Sequence, residues 1–152
     1  MLSMELYCAA VLEGNARARF VGVVSALEPL AIQDSLGDRV ADFVDESIGR
    51  LATVDVADDV RQSLAGRVRE LKRESVRQAL RRLCGQWFPG RRSAWDAIDR
   101  AYRLRSQLVH DGVLADADID LGVVTEKVGA IIRAIYEQSA RHPFWVKPTL
   151  PD

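Results

Sequence analysis

The stretch Ala101-Tyr102-Arg103-Leu104-Arg105-Ser106-Gln107-Leu108-Val109-His110-Asp111-Gly112 decides how this chain is read. At roughly 100° per residue, Ala94, Trp95, Ile98, Ala101, Tyr102, Leu108 and Val109 fall on one apolar stripe of a helix, with Arg105 near its middle. A guanidinium stays charged under ordinary conditions, and burying it is costly unless a carboxylate or phosphate meets it. His110 follows five residues later, about 140° around the helix, at the edge of the stripe. The two side chains can converge on an external ligand more easily than on each other.

Outward from this segment, helical periodicity recurs and strand-like alternation is nearly absent, so the fold class is all-α, an up-and-down bundle of five to six helices. The spacing predicts helices over about 2–13 and 16–33, the second kinked at Pro29, and a third opened by Gly37 with Asp38 as N-cap and stopping before Val54. One long helix is expected over 57–84, with Val60, Leu64, Val68, Leu71, Val76, Leu80 and Leu83 on its apolar face. Ser93 and Asp96 read as a capping box for a helix over 93–110, Gly112 as its stop, and Asp116 or Asp118 as the start of the last helix. Residues 1–142 thus form one helical domain, and 143–152, holding Pro143, Phe144, Trp145, Pro148 and Pro151, form a Pro-rich tail. With 152 residues, 48% of them hydrophobic, the chain is long enough to bury a core.

Composition narrows the function classes. Cys8 and Cys84 lack the spacing of a disulfide framework or zinc site, no apolar run is long enough for a membrane span, and Glu5 interrupts what would be a signal-peptide core. A cytoplasmic protein without membrane partners is the expectation. The net charge of −1 conceals a basic segment, since residues 61–92 hold ten Arg and Lys against Glu70 and Glu74. Such a segment attracts phosphates, or else answers acidic neighbours as a solvated face; Arg73, Arg77 and Arg81 are its candidate phosphate-binding residues. Glu28 projects into the apolar stripe of the second helix, among Val21, Val24, Leu27, Ala31 and Ile32. One acid and one base in two apolar stripes can pair across a helix interface, at a desolvation cost that offsets much of the attraction.

Two segments carry a resemblance, Arg19–Leu30 with Glu28, and Tyr102–Gly112 with the R-x4-H spacing of Arg105 and His110. They resemble the HEPN superfamily, and within it the Apea-like HEPN domains. The resemblance implies a HEPN-like bundle acting as a metal-independent endoribonuclease, a homodimer whose R-x4-6-H helices face one cleft. Arg105 and His110 would be catalytic, Arg105 holding the scissile phosphate and His110 moving protons, to give 2′,3′-cyclic phosphate and 5′-hydroxyl ends. Ser106, Tyr102, Glu28 and Arg103 would support them. Nuclease members often carry Asn, Asp or His directly after the arginine, where this chain has Ser106. The partners implied are RNA, a second copy, and an antitoxin or other regulatory protein, in phage defence or as a toxin. The alternative is a non-catalytic HEPN module for dimerisation, regulation or nucleotide binding, with Arg105 committed to Glu28.

No cofactor or metal is expected. The Asp55, Asp58, Asp59 and Asp116, Asp118, Asp120 groups read as helix caps and dipole partners, no Gly-rich phosphate loop is present, and no nucleophile elbow accompanies His110. Trp87, Trp95 and Trp145 read as core or interface anchors rather than base-stacking platforms.

Overall fold

The computed structural model describes residues 2–116 and 118–141, so the expected tail at 143–152, together with His142, lies outside the described residues. Those described form seven α-helices and no strand: α1 (Leu2–Val11), α2 (Ala16–Ser25), α3 (Asp38–Leu51), α4 (Asp58–Glu70), α5 (Val76–Trp87), α6 (Arg92–His110) and α7 (Leu121–Arg141). A helical bundle is therefore present. Its core joins Phe20, Val24 and Leu27 from α2 and its C-terminal turn, Leu80 from α5, Ile98 and Ala101 from α6, and Val128 and Ile132 from α7. Burying each such aliphatic side chain contributes roughly 1.5–3 kcal/mol, which is why the apolar residues at three- and four-residue spacing define the packing faces.

Helix α2 sits at the centre, packing on α1, α6 and α7, while α5 and α7 flank α6. The contact between α1 and α2 is close because Gly22 has no side chain: a Cβ there would stand 2.7 Å from that of Ala10. Ser3 ties the same helix to the bundle, donating to the Ala26 carbonyl at 2.5 Å and sharing a 2.7 Å hydrogen bond with the Tyr136 hydroxyl.

Several expected boundaries need correction, each for an identifiable reason. The second helix does not run to residue 33; it ends at Ser25, and Glu28–Leu30 forms a separate 3-10 turn with Pro29 at its start. Proline cannot donate an amide hydrogen and its ring crowds the preceding turn, so the chain breaks rather than kinks. The expected long helix is two helices, because Ser75 accepts from the Gln78 amide while the Gln78 side chain accepts from the Ser75 amide, a reciprocal box that starts α5 afresh. Gly37, at φ 89°, rather than Asp38, occupies the cap of α3. No side chain caps α6, so the Ser93 box is absent and the helix begins at Arg92. Asp120, not Asp116 or Asp118, precedes α7, its carboxylate accepting from the Gly122 and Val123 amides at 2.8 and 3.1 Å.

Splitting the long helix creates a second unit within the fold. Helices α3 and α4 pack chiefly on each other, and the face expected to be apolar is open, with Val60, Leu64 and Leu71 all exposed. A neck joins this hairpin to the bundle. The Leu36 amide donates to Lys72, the Glu74 amide donates to Asp34, and Arg82 reaches from α5 to Glu74, Asp34 and the Ile32 carbonyl.

Candidate functional site

Helix α6 buries Ala94, Ile98, Ala101 and Leu104, and this registration fixes where its charged residues point. Arg105 lands beside the C-terminal end of α2, where its Nη1 stands 3.1 Å from Glu28 Oε1. The same guanidinium lies over the Tyr102 ring, 5.9 Å from its centroid. Glu28 and Tyr102, two of the four supporting residues that the resemblance implies, thus lie beside Arg105. The pair is not sealed: the Arg105 side chain keeps 24% of its surface exposed and that of Glu28 keeps 35%. Arg105 Nε is buried without a hydrogen-bond partner among the described residues, so Glu28 engages only part of its donor fork. Burial, and after it the Glu28 charge, raises the Tyr102 phenol, which therefore stays protonated and able to donate near neutral pH.

His110 is the last residue of α6 and is exposed. By helix spacing it shares a stripe with Ser106, Arg103 and Asp99, exposed from Arg103 onward, whereas Arg105 turns toward Glu28 in the 3-10 turn after α2. The two residues of the R-x4-H pattern thus occupy different sectors of one protomer. Arg103 approaches Asp99 at 3.5 Å and Ser106 is exposed on the same stripe.

The three phosphate-binding candidates have separate surroundings. Arg77 Nε donates to Asp99 Oδ1 at 2.6 Å, and that bond, more than any other influence, holds the Asp99 carboxyl below the usual aspartate range. Arg81 stands over Trp95, 6.0 Å from its ring centroid. Arg73 does not share their helix; it lies in the neck, opposite Ser35 in an isolated antiparallel bridge. The basic segment is accordingly not one stripe. Arg61 pairs with Asp58, Lys72 with Asp45 and Arg82 with Glu74, so part of the positive charge answers acids of the fold itself.

Two features escaped the sequence reading. Asp99, only 13% exposed, organises Arg77 and Arg103; its spacing four residues before Arg103 was the available signal. A groove of about 850 Å³ between α6 and α7, floored by Ala94, Ala97 and Ile131 and rimmed by Arg100, Asp120 and Lys127, contains none of the expected site residues. Among the described residues no group of three His, Cys, Asp or Glu is placed to hold a metal ion, and no helix is long and apolar enough to cross a membrane. No family model, curated protein or solved structure matches this chain.

Proposed function

We propose that this chain is an endoribonuclease of HEPN type, acting as a homodimer in which Arg105 of one protomer and His110 of the other address one phosphodiester. The observation that carries the reading is the half-open Glu28–Arg105–Tyr102 cluster. A carboxylate orients the guanidinium at 3.1 Å, yet the pair remains accessible, as a group that must also meet an anionic ligand requires. An ion pair serving register alone gains nothing from that exposure.

In the proposed reaction the ribose 2′-oxygen attacks phosphorus as its proton leaves, the bond from phosphorus to the 5′-oxygen breaks, and the leaving oxygen is protonated. Arg105 neutralises charge that builds on the non-bridging oxygens, and the Tyr102 phenol adds a neutral donor beside it. His110, exposed at the end of α6, serves as the proton carrier, because an imidazole can both accept and donate a proton. The products are a 2′,3′-cyclic phosphate and a 5′-hydroxyl. The divergent directions of Arg105 and His110 within one protomer favour a site completed by the second copy.

The test is cleavage of mixed-sequence RNA in EDTA by the parent chain, Arg105→Ala and His110→Ala. The expected result is cutting by the parent and a loss of at least about 100-fold in each variant, the scale of a lost transition-state donor or proton carrier, with the fold retained. A parent inert on diverse RNAs supports the second reading, a non-catalytic module in which the contact with Glu28 is all that Arg105 does. That reading is favoured by the contact itself, which already supplies the guanidinium with an anion.

A further inference from the structure

The structure sorts the arginines into those paired closely with a carboxylate and those that are not, and three of the latter line one cleft. Arg61, Arg77, Arg82 and Arg105 each have an acid within about 3 Å. Between α5 and the start of α6, by contrast, a cleft of about 630 Å³ is lined by Arg81, Arg91 and Arg92, with Asp96 the only acid on its wall. Arg91 has no ion pair among the described residues, Arg81 stands over the Trp95 ring and reaches Asp99 only through a weak charge interaction, that carboxylate being bonded to Arg77, and Arg92 comes no closer than 3.9 Å to Asp96 with both side chains well exposed. Three like charges facing one loosely placed carboxylate repel one another, and an external anion relieves that repulsion. The indole of Trp95 forms part of the same wall.

We propose that this cleft binds a nucleotide unit, its phosphate held by Arg91 and Arg92 and its base laid against Trp95 beside the Arg81 guanidinium. Guanidinium groups suit phosphate because their forked N–H donors match its oxygens, and an aromatic face accepts any base without regard to sequence. The volume is within the range of small-ligand sites. Asp96 disfavours a second anion close by, which limits the cleft to one phosphate group. The site is separate from Arg105 and His110: Arg92 lies eighteen residues before His110 on one helix, an axial distance of about 27 Å. Its occupancy does not depend on whether RNA is cut. The nucleotide can belong to a single-stranded RNA passing along α6 or can be free in solution, and the chemistry of recognition is the same.

Binding is measured on the full chain carrying His110→Ala, so that cleavage cannot obscure the result, by anisotropy of a 3′-fluorescein-labelled single-stranded octaadenylate, with unlabelled AMP as competitor. Arg91→Gln and Arg92→Gln should each weaken octaadenylate or AMP binding roughly five- to tenfold and lower the salt dependence by about one phosphate contact. Trp95→Leu should weaken it and Trp95→Phe should not. Arg69→Gln, an exposed arginine on α4, should change affinity less than twofold if the effect belongs to the cleft rather than to net charge. Competition by AMP at concentrations comparable to those of the RNA identifies a free nucleotide as the ligand; tight RNA binding that AMP does not displace identifies the strand. The proposal is overturned if neither probe binds, if Arg91→Gln and Arg92→Gln bind like the parent, or if Arg69→Gln is as damaging as they are. Arg91 and Arg92 are exposed, so these two variants keep the test decisive even if Trp95→Leu misfolds.

Discussion

Arg105 illustrates how a single side chain can be costly to the fold and still stay open to a ligand. Its contact with Glu28 at 3.1 Å is half-buried, the situation in which desolvation offsets most of the attraction between the charges. The double variant Glu28→Leu/Arg105→Met should therefore melt within about 1 kcal/mol of the parent or above it and, if the proposed reaction is right, lose RNA cleavage. A large drop in calorimetric stability would mean that the pair holds α2 and α6 together. This contact was legible in the sequence because each partner interrupts an otherwise apolar stripe, an anomaly that demands an opposite charge. The sector of His110 also followed from helix spacing, about 140° from Arg105, but its exposure did not, since it lies at the helix end and beyond the packed part of α6. The two cysteines make a simpler test at this scale. Burial pushes the Cys84 thiol up to about 11, whereas Cys8 is exposed. Since the thiolate is the reactive species, iodoacetamide at pH 8 should modify Cys8 and spare Cys84 until the protein unfolds. Equal labelling rates in the native protein would contradict the burial.

At the scale of the element, the neck between the hairpin and the bundle depends on a charge cluster. The hydrogen bond from Arg82 is the main influence holding the Glu74 carboxyl below its ordinary value of 4.5, with smaller contributions from the Asp34 amide and the Arg82 charge. A carboxyl whose pKa is depressed by folding contributes stability that is complete above its unfolded value and is lost as pH falls through the folded value. Limited proteolysis between residues 31 and 37 or 71 and 75 should therefore accelerate below pH 4.5, and Arg82→Gln should show the faster cutting already at pH 7. Unchanged cutting in Arg82→Gln would assign the neck to its backbone bonds alone. The break itself was hidden in the sequence, because Val68, Leu71, Val76 and Leu80 keep helical spacing straight through it. Only the Ser75-x-x-Gln78 box signalled a new start, and an apolar periodicity outweighs so short a pattern when read first. The Asp96 box failed for the opposite reason: the residue types were right, but Arg91 and Arg92 already carry the turn into α6.

For the whole molecule, the all-helical bundle followed from periodicity, since apolar residues at three- and four-residue intervals admit few arrangements other than helices around a shared core. The surface did not follow. Ten basic residues close in sequence left open a phosphate-binding face or a face that answers acidic neighbours; they are distributed over α4, the neck, α5 and the start of α6, and several meet acids of the fold, as the second reading has it. Charge in a sequence predicts a field only once the fold has placed its counterions. At the candidate site the fold leaves a half-open guanidinium beside Glu28 and an exposed imidazole on another sector of α6, an arrangement that would become a site only if two copies met, as proposed.

The most direct measurement of that claim mixes the two inactive variants. If each site takes Arg105 from one protomer and His110 from the other, a dimer of one Arg105→Ala chain and one His110→Ala chain contains one intact site and one doubly defective site. After subunit exchange at equal concentrations, RNA cleavage in EDTA should rise from nothing in either variant alone to about a quarter of the parent rate, because half the dimers are mixed and each has one working site. A mixture as inactive as its components, beside a parent that cuts, would contradict the shared site, and a parent that leaves RNA intact would contradict the nuclease.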